Sequence, residues 1–136
     1  MKNVLATIVG LIIASLTVYI FESLIGHNLF PLPEGSDPTN MEWIKDNMDK
    51  IPIGSKIFVI IAHFVGIITG MFVAAKISKT NMIPSYIIGA FMILATLFTI
   101  FMLPKEMWFT LSDGILVIVG FFIGKGLAEK QLDVNS

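Results

Sequence analysis

A bundle of four membrane-spanning α-helices is the fold class this sequence predicts, and three observations carry it. First, 55% of the residues are hydrophobic and only 14% are charged, too little polar surface to clothe a soluble domain of this size. Second, the apolar residues fall in four runs nearly free of formal charge. There is none between Lys2 and Glu22, between Lys56 and Lys76, or between Lys79 and Lys105, and Met107 to Gly124 holds only Asp113. Third, each run approaches or exceeds the roughly 18–20 residues that cross about 30 Å of hydrocarbon. Helices are the expected form, because backbone amides inside a bilayer must bond within their own segment.

The first span is expected from about Val4 to Gly26, with Pro31 and Pro33 barring further continuation. A cleaved signal peptide fits it less well, since the apolar stretch outruns the usual one and no small-x-small cleavage site follows. "PLPEGSDPTN" reads as a turn region. From about residue 40 to 51, Met41, Ile44, Met48 and Ile51 recur at helical spacing with charges opposite, which predicts a short amphipathic helix on the membrane surface or over the mouth of the bundle. Thr39 and Glu42 have capping-box spacing at its start, and Pro52 and Gly54 should end it. The second span is expected over about 56–77, the third over about 84–103 with Pro84 in its first turn, and the fourth over about 108–127. The polar tail from Glu129 to Ser136 is expected to fray. The whole chain forms one integral membrane domain, 1–136.

Small residues four apart mark the faces on which membrane helices meet. Ala62, Gly66, Gly70 and Ala74 form such a series in the second span, and Gly120 and Gly124 in the fourth. In the first span Ser15, Tyr19, Glu22 and Gly26 share a stripe, and in the third Ser85, Gly89, Met92, Thr96 and Thr99 do. His63 and Asp113 fall on the small-residue faces. Each sits seven residues past an end charge, Lys56 or Glu106, and so about 10 Å deep at helical rise. Glu22 and His27 close the same end of the first span. Exposure of a charge to lipid costs about 2.5–3.5 kcal/mol near mid-bilayer, so Glu22, His27, His63 and Asp113 are expected to converge on one polar pocket.

Plainer roles remain open for each. Glu22 and His27 could be solvated among headgroups, His63 could bond Tyr19 or a carbonyl, and Asp113 could cap a helix start after Thr110 and Ser112. Two imidazoles and two carboxylates could hold a divalent metal, although no His-x3-His or His-x2-Glu spacing occurs. A net charge of −1 gives nucleic acid no electrostatic footprint. The absence of cysteine removes disulfides and thiol chemistry, and no serine or threonine sits in a nucleophile motif, so the chain leans away from an enzyme.

The pattern Glu22-x3-Gly26-His27, Pro31-x-Pro33-x-Gly35-x-Asp37, then Pro52-x-Gly54 and Ala62-His63-x2-Gly66-x3-Gly70, resembles a group of small four-span bacterial membrane proteins without an assigned function. The resemblance covers the chain as far as the second span. It implies this fold and a bacterial inner membrane, and carries no activity across.

With an even number of spans both termini share a side, which holds Lys2, Lys76, Lys79, Lys125 and Lys130. Lys45, Lys50, Lys56 and Lys105 lie opposite, so the lysine bias places the termini in the cytoplasm. The functional expectation is a non-enzymatic protein with an outer-leaflet pocket for a small ligand or ion. A proton- or ion-coupled small transporter using Asp113 and His63, and a structural or accessory subunit, are the alternatives. Its partners are the bilayer and either a second copy of the chain or another membrane protein.

Overall fold

A computed structural model of the chain describes residues 1–135, which are helical throughout their regular structure and contain no strand. Four helices are long and apolar enough to cross a membrane: α1 (Lys2–Leu29), α3 (Ile53–Ser78), α4 (Ile83–Met102) and α5 (Met107–Asn135). Between the first two of these lies a short helix, α2 (Met41–Asp46), followed by a single 3₁₀ turn (Met48–Lys50). The long helices alternate in direction. α1 and α4 run toward the end that carries α2, the loop end, and α3 and α5 start from it.

α3 is the axis of the bundle. It packs against α1, α4 and α5, while α4 touches α1 and α5 in turn. Without a hydrophobic force between helices in lipid, such contacts depend on close packing, and small residues set the distance. Gly66 faces the Val18 side chain, Gly70 faces Ala14 and the Gly10 carbonyl, and Ala74 lies beside Gly10. On the other side Gly120 meets Ile67 and Phe64, and Gly124 meets Met71 and Ile68. Ala62 and Ala74 are fully enclosed. Ala14, Ile67, Met71, Ala74, Ile88, Met92 and Val117 form the apolar core between these faces.

The first helix departs from the expected stripe. Its buried residues in the α-helical part are Ala6, Gly10 and Ala14, four apart, whereas Tyr19 is 55% exposed and Ser15 faces outward. α1 therefore packs through the small residues Ala6-x3-Gly10-x3-Ala14, four apart like those of α3, and not through the polar Ser15 and Tyr19.

Local chemistry moved several other boundaries. Thr39 does not cap α2, since its hydroxyl donates to Asp37 Oδ1 at 2.6 Å. Asn40 is the cap instead, its Oδ1 accepting from the amides of Glu42 at 2.9 Å and Trp43 at 3.2 Å. The expected single helix over 40–51 is broken at Asn47, the C-cap of α2, whose backbone and side-chain amides both donate to the Trp43 carbonyl, at 3.0 Å and 2.8 Å. Pro52 and Gly54 begin α3 rather than close α2: Pro52 is its N-cap, and the Phe30 ring lies directly on Gly54. The tail expected to fray is helical through Asn135, with Ala128 buried and Lys125 paired to Glu129 at 3.6 Å; the last residue of that expectation, Ser136, lies outside the described residues.

The glycine contacts predict a contrast. A methyl at Gly70 would stand 2.8 Å from Ala14 Cβ and 3.0 Å from the Gly10 carbonyl oxygen, so Gly70→Ala must part α1 from α3, at a cost of about 1–3 kcal/mol. Gly126 has open space around it, and Gly126→Ala should be neutral or stabilising by up to about 1 kcal/mol. Unfolding in mixed micelles, read by circular dichroism, separates the two variants.

Candidate functional site

The ionisable groups of the spans gather at the loop end. α3 and α5 both start there, and in register: Lys56 meets Glu106 and His63 meets Asp113, each pair 50 residues apart in sequence. Lys56 and Glu106 form a close ion pair at the rim, the lysine side chain only 3% exposed. Two turns deeper, Asp113 is completely enclosed. Its Oδ1 lies 2.7 Å from His63 Nδ1 and its Oδ2 lies 3.0 Å from Lys105 Nζ. A carboxylate accepts only, so Nδ1 carries the proton in this bond and Nε2 is left for another partner.

Lys105 follows Pro104 in the turn between α4 and α5, and its side chain folds back into the bundle rather than reaching for headgroups. It donates to Thr99 Oγ1 at 3.2 Å as well as to Asp113, and lies 4.4 Å from the centre of the Phe109 ring. Apolar walls strengthen this arrangement by excluding water, and they make each partner costly to remove. Asp113 therefore does not cap a broken helix, and His63 bonds Asp113 rather than Tyr19.

Glu22 and His27 reach the site by a different device. Residues Ile20–Gly26 of α1 form a π-helical segment, and the His27 amide donates to the Glu22 carbonyl across five residues. That bond closes a wider turn, which brings side chains five apart nearer to one face than the 3.6-residue turn of an α-helix does. Gly26 makes room for it by packing against Phe58. Neither Glu22 nor His27 has a hydrogen bond or ion pair to another side chain among the described residues.

Glu22, His27, His63, Lys56 and Lys105 line one cavity of about 160 Å³. α2 and the 3₁₀ turn roof it: Trp43, Ile44 and Met48 face inward, with Met48 packed against Ile60 and Phe109. Asp113 is not on the cavity wall. It stands behind His63 and Lys105 and holds both. Sequence reasoning thus brought three of its four residues to the cavity and placed the fourth one layer too close. The Lys56–Glu106 pair and Lys105 are further parts of the site that the sequence pattern does not single out. Among the described residues no group of three or more His, Cys, Asp or Glu side chains is arranged to hold a metal ion.

Outside the spans, Lys56 holds the Glu106 carboxyl below its ordinary value of 4.5. A depressed folded-state value means that the stabilisation is complete above pH 4.5 and disappears as pH falls through the lower, folded value. With Glu106 at 40% exposure, screening keeps the effect small. Melting temperature followed from about pH 6 to about pH 3 should show an acid step that Lys56→Met abolishes.

The buried network predicts strong non-additivity. Lys105→Met leaves Asp113 enclosed with only His63, and should cost about 3 kcal/mol or more; adding Asp113→Asn should return at least about 1 kcal/mol relative to the sum of the single changes. Additive single and double variants in a mixed-micelle unfolding series would contradict the network.

Compared with protein-family models, with curated proteins and with solved structures, the chain matches none.

Proposed function

We propose that this is a non-enzymatic, multi-pass protein of a bacterial cytoplasmic membrane, and that its cavity at the loop end binds a small ligand carrying an oxyanion. The observation that carries the reading is the inventory of unused hydrogen-bonding groups on the cavity wall. Lys56 spends one donor on Glu106, and Lys105 spends two, on Thr99 and Asp113, so three ammonium N–H groups remain between them. His63 keeps Nε2 and His27 keeps both ring nitrogens. The carboxylates paired with the lysines, Glu106 at the rim and Asp113 behind Lys105, are both off the wall, and Glu22 is the sole carboxylate on it among the described residues. A ligand that presents an oxyanion beside a donor, such as an ammonium or hydroxyl, matches both the lysines and Glu22.

Orientation follows from the same ion pairs. Lys56 and Lys105 are neutralised by Glu106 and Asp113, so the loop end offers only Lys45 and Lys50 against Glu34, Asp37, Glu42, Asp46 and Asp49. By the same count the termini end keeps Lys2, Lys76, Lys79 and Lys130, with Lys125 paired to Glu129, which supports cytoplasmic termini and a cavity open to the outside.

Coupled proton transport draws support from the His63–Asp113 bond, a common relay pairing inside membranes. Against it stands the packed apolar core around Ile67, Gly70, Met71 and Val117, between His63 and the termini end.

Phosphoethanolamine, which joins an oxyanion to an ammonium, is the probe. It should raise the melting temperature of the purified protein by a few degrees at saturation, by preferential binding to the folded state. Glu22→Gln and His27→Ala, at two positions without partners, should leave the unliganded melting temperature unchanged and remove most of the ligand shift. A wild-type protein indifferent to phosphoethanolamine and to inorganic phosphate would contradict the proposal.

A further inference from the structure

A second cavity adjoins the polar one. His63 and Thr99 line a second cavity of about 230 Å³ as well as the first, so the two share a wall. This second space is a cleft between α1 and α4, bordered by Ser15, Val18, Phe91 and Thr96. It lies deeper than the first: Val18 and Met92, both on its wall, are the neighbours of Gly66, one turn below His63. Ser15, Phe91 and Ala95 are exposed, so the cleft opens sideways, toward the lipid. Its one anomalous feature is Thr96. That side chain is only 1% exposed, and its Oγ1 has no hydrogen-bond partner among the described residues. A buried hydroxyl left unpaired costs about 1–3 kcal/mol, and a ligand oxygen or N–H at that point would recover it.

Vertical order gives the ligand its shape. Ammonium and imidazole groups line the loop-end cavity, an unpaired hydroxyl lies just below them, and an apolar cleft open to lipid lies below that. A phospholipid has the same sequence of chemistry along its length: charged head, ester and glycerol oxygens, acyl chain. We infer that the two cavities form one site for a bilayer phospholipid with a phosphate–ammonium head, the phosphate toward Lys56 and Lys105, the ammonium toward Glu22, and one acyl chain along the α1–α4 cleft. This rests on the oxyanion-pocket reading above and names its ligand class. Entry is lateral, between α1 and α4, and the roof of α2 need not open.

The test is photolabelling in phosphatidylcholine nanodiscs with a lysophosphatidylethanolamine that carries a diazirine on its acyl chain. Adducts should concentrate on Ser15, Val18, Phe91 and Ala95, and excess unlabelled lysophosphatidylethanolamine should compete them away where lysophosphatidylcholine, lacking an N–H donor, does not. Ala95→Phe, which fills the cleft from an exposed position, should lower those adducts about fivefold, the factor that corresponds to about 1 kcal/mol, while labelling of the outer faces of α1 and α5 stays constant. Adducts spread evenly over the outward faces and indifferent to Ala95→Phe would overturn the inference. Phosphoethanolamine assigns such a failure: a thermal shift retained in wild type and in Ala95→Phe means that only the chain cleft is wrong, and a shift absent from both means that the pocket reading has failed and the lipid site with it.

Discussion

A single enclosed carboxylate organises the loop end of this protein. Asp113 has no exposed surface, and an unpaired charge at that depth would be among the most expensive features a membrane helix can carry. Two partners from outside its own helix offset the cost, His63 from α3 and Lys105 from the α4–α5 turn. Because each bond is directional, the carboxylate does more than neutralise. It fixes the tautomer of His63, and it draws a lysine that could have reached the headgroups down into the bundle. The cavity above Asp113 consequently has a basic wall, though it lies at the end of the molecule whose loops are acidic.

The opposite wall is made by a different constraint. α1 packs through Ala6, Gly10 and Ala14, and an unbroken α-helix would keep that phase to its end. The π-helical segment at Ile20–Gly26 changes it. The bond from His27 to Glu22 brings those two side chains nearer to one face, turned to the cavity, and Gly26 tolerates the closeness of Phe58 that results. Such segments interrupt the regular ladder and recur at functional sites, which fits the absence of any structural partner for either side chain. α1 thus has two jobs along its length, close packing below and presentation of polar groups above, and the cleft against α4 opens where the first gives way to the second.

Much of this was legible in the sequence. The four spans follow from charge-free length, and the first turn region from its prolines, glycine and Asx residues. Ala62, Gly66, Gly70, Ala74, Gly120 and Gly124 stand out by spacing alone and lie at the helix contacts. The shared seven-residue offset of His63 from Lys56 and of Asp113 from Glu106 held more than was taken from it. Equal offsets on two helices that start from the same end imply two pairs in register, and those are the pairs that form. Lys105 was hidden because a lysine after a proline at a span boundary ordinarily snorkels outward, and only the position of Thr99 and Asp113 around it reverses that preference. The π turn was hidden because hydrophobic periodicity assumes α geometry and cannot report its own interruption. The Asn40 cap lost to Thr39 on spacing, since nothing in spacing shows that Asp37 already engages the Thr39 hydroxyl.

The basic cavity wall and the pairing of the enclosed carboxylate both require that Lys105 turn inward to Asp113. Magic-angle-spinning NMR of the protein in lipid bilayers, with ¹⁵N in the lysine side chains and ¹³C in the aspartate carboxyls, measures that contact directly. A strong dipolar coupling between Lys105 Nζ and Asp113 Cγ, consistent with the 3.0 Å nitrogen–oxygen separation, is the predicted result. No coupling, with Lys105 instead in exchange with water at the headgroups, would contradict the account.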